Sequence, residues 1–381
     1  MDTGATLHAD PAAEVTAAGA AIWLDDLDRE RITSGRLAAL ARDDRVTGVT
    51  TNPTIFRTAL SRPRIYDRDV RDLALRGVAV EEAARALAAW DVRAACDVMR
   101  PAFDATSGRD GRVSIEVDPR LAGDGARTAA EGRALWWLVD RPNLFIKVAA
   151  TPAGLGAIRE LLADGVSVNV TLIFSVDRYR AVIDAFLDGV EERLRRGGGL
   201  EGLESVASFF VSRVDAEVDR RLVAVAEADP ARADAAGRLR GAAAMANARL
   251  AYEAFESSLA TERWRALAAR GARPQRPLWA STGVKDPAYR DTRYVDGLLA
   301  PETVITMPEP TLRAVADHGR PRPGSAREGR EEARGVMRGL AAVGVDIDDV
   351  TATLERAGVE RFSADWDDLL ASLAGRLAAA R

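Results

Sequence analysis

The chain has 381 residues, 47% hydrophobic and 29% charged, with a net charge of −5, as expected of a globular protein with a sizeable core. Its arginines are interleaved with Asp and Glu and form no basic stripe, which argues against nucleic acid as a partner. One cysteine, Cys96, excludes an internal disulfide, and two histidines, His8 and His318, are too few for a histidine-rich metal site.

Residues 1–20 form a small, polar, acidic extension without the basic start and apolar run of a signal peptide. No later segment is long and apolar enough to span a bilayer, so the expected location is the cytoplasm. Short apolar strand candidates then alternate with helical patterns at 21–24, 46–50, 113–117, 144–148, 166–172, 206–210, 278–281 and 304–307. Two spacers, 57–105 and 215–276, are long enough for several helices each. Within the second, 235–260 is rich in alanine, leucine and arginine and reads as one long helix. Gly197-Gly198-Gly199 marks a loop, 320–329 reads as a charged solvated loop, and 330–379 closes the chain with helices. Eight strands, each followed by helical sequence, is the count for a single (β/α)8 TIM barrel spanning 1–381, with 57–105 and 215–276 as helical insertions. An open doubly wound sheet would require no particular number.

The strands alternate. In Val166-Ser167-Val168-Asn169-Val170-Thr171-Leu172 one face is aliphatic and the other polar. Ser114 and Glu116 alternate against Val113, Ile115 and Val117, and Phe145 and Lys147 against Leu144, Ile146 and Val148. In a barrel the aliphatic face meets the helices and the opposite face lines the interior.

Lys147 stands out because the chain holds only two lysines, Lys147 and Lys285, against fifty-one arginines. A neutral amine attacks carbonyls, whereas guanidinium stays protonated at any working pH. Burial of an amine favours the neutral form that Schiff-base chemistry needs. The plainer reading is a strand-end lysine whose head reaches water.

Barrel enzymes keep their active sites where the strands end. Those ends carry Asp25, Thr50 and Asn52, Glu116, Lys147, Asn169 and Thr171, Ser208 and Phe210, and Ser281. Singly, strand-end Asp and Asn residues make turns or cap helices; together, a lysine amid two carboxylates, hydroxyls and amides reads as an amine-catalysis pocket. Weaker signals have structural readings. Thr151-Pro152 suits an N-cap and first helical residue, and Gly154-Leu155-Gly156 lacks the third glycine of a dinucleotide loop. Asp25 and Asp26 point to opposite faces and cannot share one metal. Trp136-Trp137 suits the core, and His318 a helix end.

These motifs resemble transaldolase in its longer bacterial form over about residues 22–370. The resemblance is carried by Trp23-Leu24-Asp25-Asp26, Gly48-Val49-Thr50-Thr51-Asn52-Pro53, Ser114-Ile115-Glu116-Val117-Asp118 and Asn143-Leu144-Phe145-Ile146-Lys147. It continues through Asn169-Val170-Thr171-Leu172-Ile173-Phe174-Ser175, Ser208-Phe209-Phe210-Val211-Ser212-Arg213-Val214-Asp215 and Trp279-Ala280-Ser281-Thr282-Gly283. It implies transfer of a dihydroxyacetone unit between sugar phosphates in the non-oxidative pentose phosphate pathway, with no metal or cofactor. Lys147 aligns with the Schiff-base lysine and Asp25 with the base for the C4 hydroxyl. Glu116 and Thr171, through a water, would move protons. Thr50, Asn52, Asn169 and Ser208 would hold the donor, and Arg213, Ser281 and Lys285 its phosphate. Many relatives write Ser-Phe-Arg-Asn where this chain has Ser281-Thr282-Gly283-Val284-Lys285-Asp286, so which cation meets the phosphate stays open. The rival within the superfamily is similar to fructose-6-phosphate aldolase, whose members usually carry glutamine and tyrosine where this chain has Glu116 and Phe210. From different classes, a non-catalytic barrel that binds sugar phosphates and a metal-dependent barrel enzyme also compete.

Overall fold

The computed structural model describes residues 10–62 and 64–380; His8 and residues 1–9 of the extension lie outside them. Eight parallel strands close into a barrel in sequence order. They are β1 (Ala20–Leu24), β2 (Val46–Val49), β3 (Arg112–Glu116), β4 (Leu144–Ala149), β5 (Val168–Ile173), β6 (Ser205–Phe210), β7 (Arg276–Ala280) and β8 (Thr303–Met307). β8 returns to β1 with Trp23 opposite Thr306, which closes the sheet on itself. All eight strands expected from the sequence are present, with no end shifted by more than two residues. The barrel expectation holds.

Local chemistry sets the connections. Thr151 caps the helix Pro152–Ala163 by accepting from the Gly154 amide at 3.0 Å. A Cβ on Gly154 would stand 2.0 Å from the Ala149 carbonyl oxygen, so this glycine serves close helix–strand approach. His318 ends the helix Glu309–His318, exposed between Asp291 and Asp317.

Inside the barrel, Trp23 is fully buried and its indole lies against Gly48. A Cβ there would come within 2.4 Å of the ring, and the ring has Phe145 on another side at 5.9 Å between centroids. Gly48→Ala is therefore an overpacking change and should cost about 1–3 kcal/mol, read as a lower denaturant midpoint at unchanged slope. An unchanged midpoint would mean that the indole has room to move.

Three expectations need correction. The run 235–260 is two helices, Ala233–Leu239 and Ala243–Leu259, split at Gly241 with φ +68°. Two carboxylates on the neighbouring helix hold the break: Asp219 accepts from the Gly241 amide at 2.8 Å, and Asp215 from the Ala244 amide at 2.7 Å. The two tryptophans part company, Trp136 packing on the core while Trp137 is 80% exposed. Successive helical side chains diverge by about 100° and cannot both face a barrel. The loop at 320–329 is pinned rather than merely solvated: the buried Ser325 hydroxyl accepts from the Leu299 amide at 3.0 Å, and the Ala326 amide donates to the Leu299 carbonyl at 3.2 Å.

β5 carries a bulge, because its register with β6 shifts between Val170 and Ile173 and Leu172 adopts φ +59°. A left-handed leucine costs about 1–2 kcal/mol. The bulge turns Leu172 toward the helix Ile347–Ala379, where a Cβ on Gly358 would stand only 2.9 Å from its Cδ2. This 33-residue helix crosses the mouth formed by the strand ends. It is tied to the helix Pro53–Leu60 by Thr54 with Asp365, and by Arg57 with Asp365 at 3.2 Å.

Candidate active site

The strand ends converge on one cavity of about 620 Å3, counted out to solvent. Lys147, the fourth residue of β4, is 4% exposed and reaches this cavity. Its Nζ donates to the Thr51 carbonyl oxygen at 3.0 Å and stands 3.1 Å from Glu116 Oε2. The β3–β4 pairing sets Glu116 directly beside Lys147, so backbone register makes this ion pair. Burial pushes the Glu116 carboxyl above the ordinary carboxylate range, and the Lys147 charge opposes that shift only in part.

Asp25 follows β1 and accepts a hydrogen bond from Thr50 Oγ1 at 2.8 Å, while Thr306 Oγ1 lies 3.1 Å from the same hydroxyl. Asn52 caps the helix Pro53–Leu60, its Oδ1 accepting from the Ile55 amide at 3.0 Å. The capping and binding readings of Asn52 are compatible, because its Nδ2 remains available to the cavity it lines. Thr171 also lines the cavity, and its buried Oγ1 has no partner among the described residues. Ser208 donates to Asn169 Oδ1 at 2.7 Å, and Asn169 Nδ2 donates to Ser114 at 3.0 Å. Asn169 thus stands a layer below the cavity and holds Ser208, while Glu116 stands behind Lys147.

The rim carries the cations. Arg213 lies with its guanidinium 5.5 Å from the Phe210 ring, and Lys285 and Ser281 line the same side. Burial, then repulsion from Arg361, lowers the Arg213 pKa; partial burial, then Arg213, lowers that of Lys285. The two carboxylates nearest the reacting centre are thereby balanced by an electropositive rim suited to a dianion. Ser281 has φ +55° and its hydroxyl is 3.0 Å from that of Ser212.

The structure therefore brings Asp25, Thr50, Asn52, Lys147, Thr171, Ser208, Phe210, Arg213, Ser281 and Lys285 to one cavity. Both lysines of the chain line it. Three contributors are not found by sequence reasoning. Thr306 lies near the end of β8 as a polar residue and carries the same signal as the others. The Thr51 contribution is a backbone carbonyl and has no side-chain signal. Phe362 comes from the helix Ile347–Ala379, more than 200 residues from Lys147, and its ring centroid is 5.9 Å from Nζ.

The transaldolase/fructose-6-phosphate aldolase family model matches residues 22–373. The chain belongs to this family. It is 59% identical to a transaldolase of Acidothermus cellulolyticus over 98% of both chains. It is 57% identical to one of Frankia alni, over 96% of this chain and 97% of the relative. A transaldolase of Thermobifida fusca is 56% identical over 97% of this chain and 99% of its own. Among the described residues, no helix is long and apolar enough to cross a membrane.

Proposed function

We propose that the chain is a transaldolase, a transferase of carbohydrate metabolism in the non-oxidative pentose phosphate pathway. It moves a dihydroxyacetone unit from sedoheptulose 7-phosphate or fructose 6-phosphate to glyceraldehyde 3-phosphate or erythrose 4-phosphate. The observation that carries this reading is Lys147, buried at the floor of a hydroxyl-lined cavity with Glu116 at 3.1 Å.

The Lys147 amine attacks the donor ketone carbon. Glu116, working with Thr171 through a water, takes and returns the protons of carbinolamine formation and dehydration. Asp25, oriented by Thr50, removes the C4 hydroxyl proton. The C3–C4 bond then breaks, its electrons enter the imine, and the aldose phosphate leaves. The enamine carbon bonds to the acceptor aldehyde, whose oxygen takes the proton held by Asp25. Water adds to the imine and frees the product. Asn52, Ser208 and Thr50 hold donor hydroxyls, Asn169 holds Ser208, and Arg213, Lys285 and Ser281 meet the phosphate. The whole chain acts as one barrel domain in the cytoplasm, a compartment that suits the single buried thiol of Cys96.

The test is acceptor dependence. With fructose 6-phosphate alone, turnover should be at least about tenfold slower than with erythrose 4-phosphate added. Equal turnover without an aldose phosphate would make the chain an aldolase.

A further inference from the structure

We propose that Phe362 commits the enamine on Lys147 to transfer by keeping water from it. This inference rests on the transaldolase reading and names the residue that sets the outcome of its second half-reaction. The other side chains around the cavity belong to strand ends and the segments that directly follow them. Phe362 alone descends from the helix Ile347–Ala379. It is 3% exposed and faces the amine at 5.9 Å, a separation that leaves room for a carbon skeleton between. The same ring borders a second, almost wholly apolar hollow with Val148, Leu172 and Val359, so it also closes the side behind Glu116.

The roof is fixed. Arg178 meets Glu355 at 3.2 Å, Arg221 meets Asp349 at 2.6 Å, and Arg376 meets Asp67 at 3.0 Å, so the helix is held along its length. Gly358, one turn before Phe362, lets the helix rest on Leu172 at a distance that a side chain would obstruct.

Asp25, Thr50, Asn52, Thr171 and Ser208 would all hold water as readily as substrate. Loss of the unit to water has a simple balance. The enamine carbon takes a proton from water, hydroxide adds to the imine carbon, and the hydroxyl proton then passes to the nitrogen as the carbonyl forms and the C–N bond breaks. Dihydroxyacetone leaves and the amine is restored. An apolar ring over the amine keeps loose water, the proton source of the first step, from the enamine carbon. The one water held by Glu116 and Thr171 still serves imine hydrolysis, and an aldose phosphate is still drawn in by the cationic rim.

Full-length Phe362→Ala and Phe362→Leu are compared with wild type for dihydroxyacetone released per unit transferred, from fructose 6-phosphate and erythrose 4-phosphate. F362A should raise that ratio about tenfold, while F362L, which restores apolar bulk, stays within about twofold of wild type. Should F362A not fold, Phe362→Val carries the same measurement. An unchanged ratio, with transfer and release falling together, would overturn the proposal, because a merely structural ring alters both equally. Borohydride trapping on Lys147 in the same proteins separates the two ideas. An adduct with an unchanged ratio defeats the role of Phe362, and no adduct in wild type defeats the transaldolase reading.

Discussion

Borohydride added with fructose 6-phosphate attaches one three-carbon unit to Lys147 and none to Lys285. Peptide mass spectrometry reads the result directly, and the chain supplies its own control. Its only two lysines line the same cavity, so exposure to substrate does not distinguish them. Their surroundings do. Lys147 has Glu116 at 3.1 Å to manage protons, whereas Lys285 sits at the accessible rim with Arg213 as the strongest influence among the charged groups around it. Lys147→Arg keeps a positive charge and removes the nucleophile, and should lower kcat by at least about 10⁴-fold. A label on Lys285, or an active K147R, would sink the mechanism.

Glu116→Gln comes next in expected effect. It should lower kcat about 10²–10⁴-fold, the usual range for a general acid–base group, while leaving slow trapping on Lys147. The pH dependence has a definite sign. Burial raises the folded-state pKa of Glu116 above the ordinary carboxylate value of about 4.3, so the charged form that accepts protons is lost earlier as pH falls. The acid limb of the wild-type profile should therefore lie above that value and vanish in E116Q. For stability the sign follows from proton binding. Between the unfolded and folded pKa values the native carboxyl binds more protons, so wild-type stability falls as pH rises through that window. E116Q lacks this slope. An acid limb that persists unchanged in E116Q would assign it to another group, Asp25 first.

The candidate site is legible in the sequence because it sits at the ends of strands whose side chains alternate with a period of two. In 166–172 the polar residues Asn169 and Thr171 mark the interior face without any knowledge of the fold, and Lys147 is conspicuous through the near absence of its kind. The bulge is not legible. Leu172 belongs by alternation to the helix-facing side, and only the register shift with β6 and the approach of Gly358 turn it to the mouth. Asn169 reads as a donor ligand, yet both ends of its amide are taken by Ser114 and Ser208.

By itself the sequence determined the eight strands, their inward faces and eight residues of the cavity, because alternation and strand-end position are local properties that a barrel converts into proximity; Arg213 and Lys285 came from the family resemblance instead. Tertiary structure alone decided which groups meet across strands and what covers them. The β3–β4 register places Glu116 against Lys147, and the Thr51 carbonyl turns toward the amine. The break at Gly241 depends on carboxylates from another helix, and Phe362 reaches the amine only because a helix some 200 residues downstream crosses the mouth. Such contacts join parts of the chain far apart in sequence, so no pattern along a single stretch encodes them.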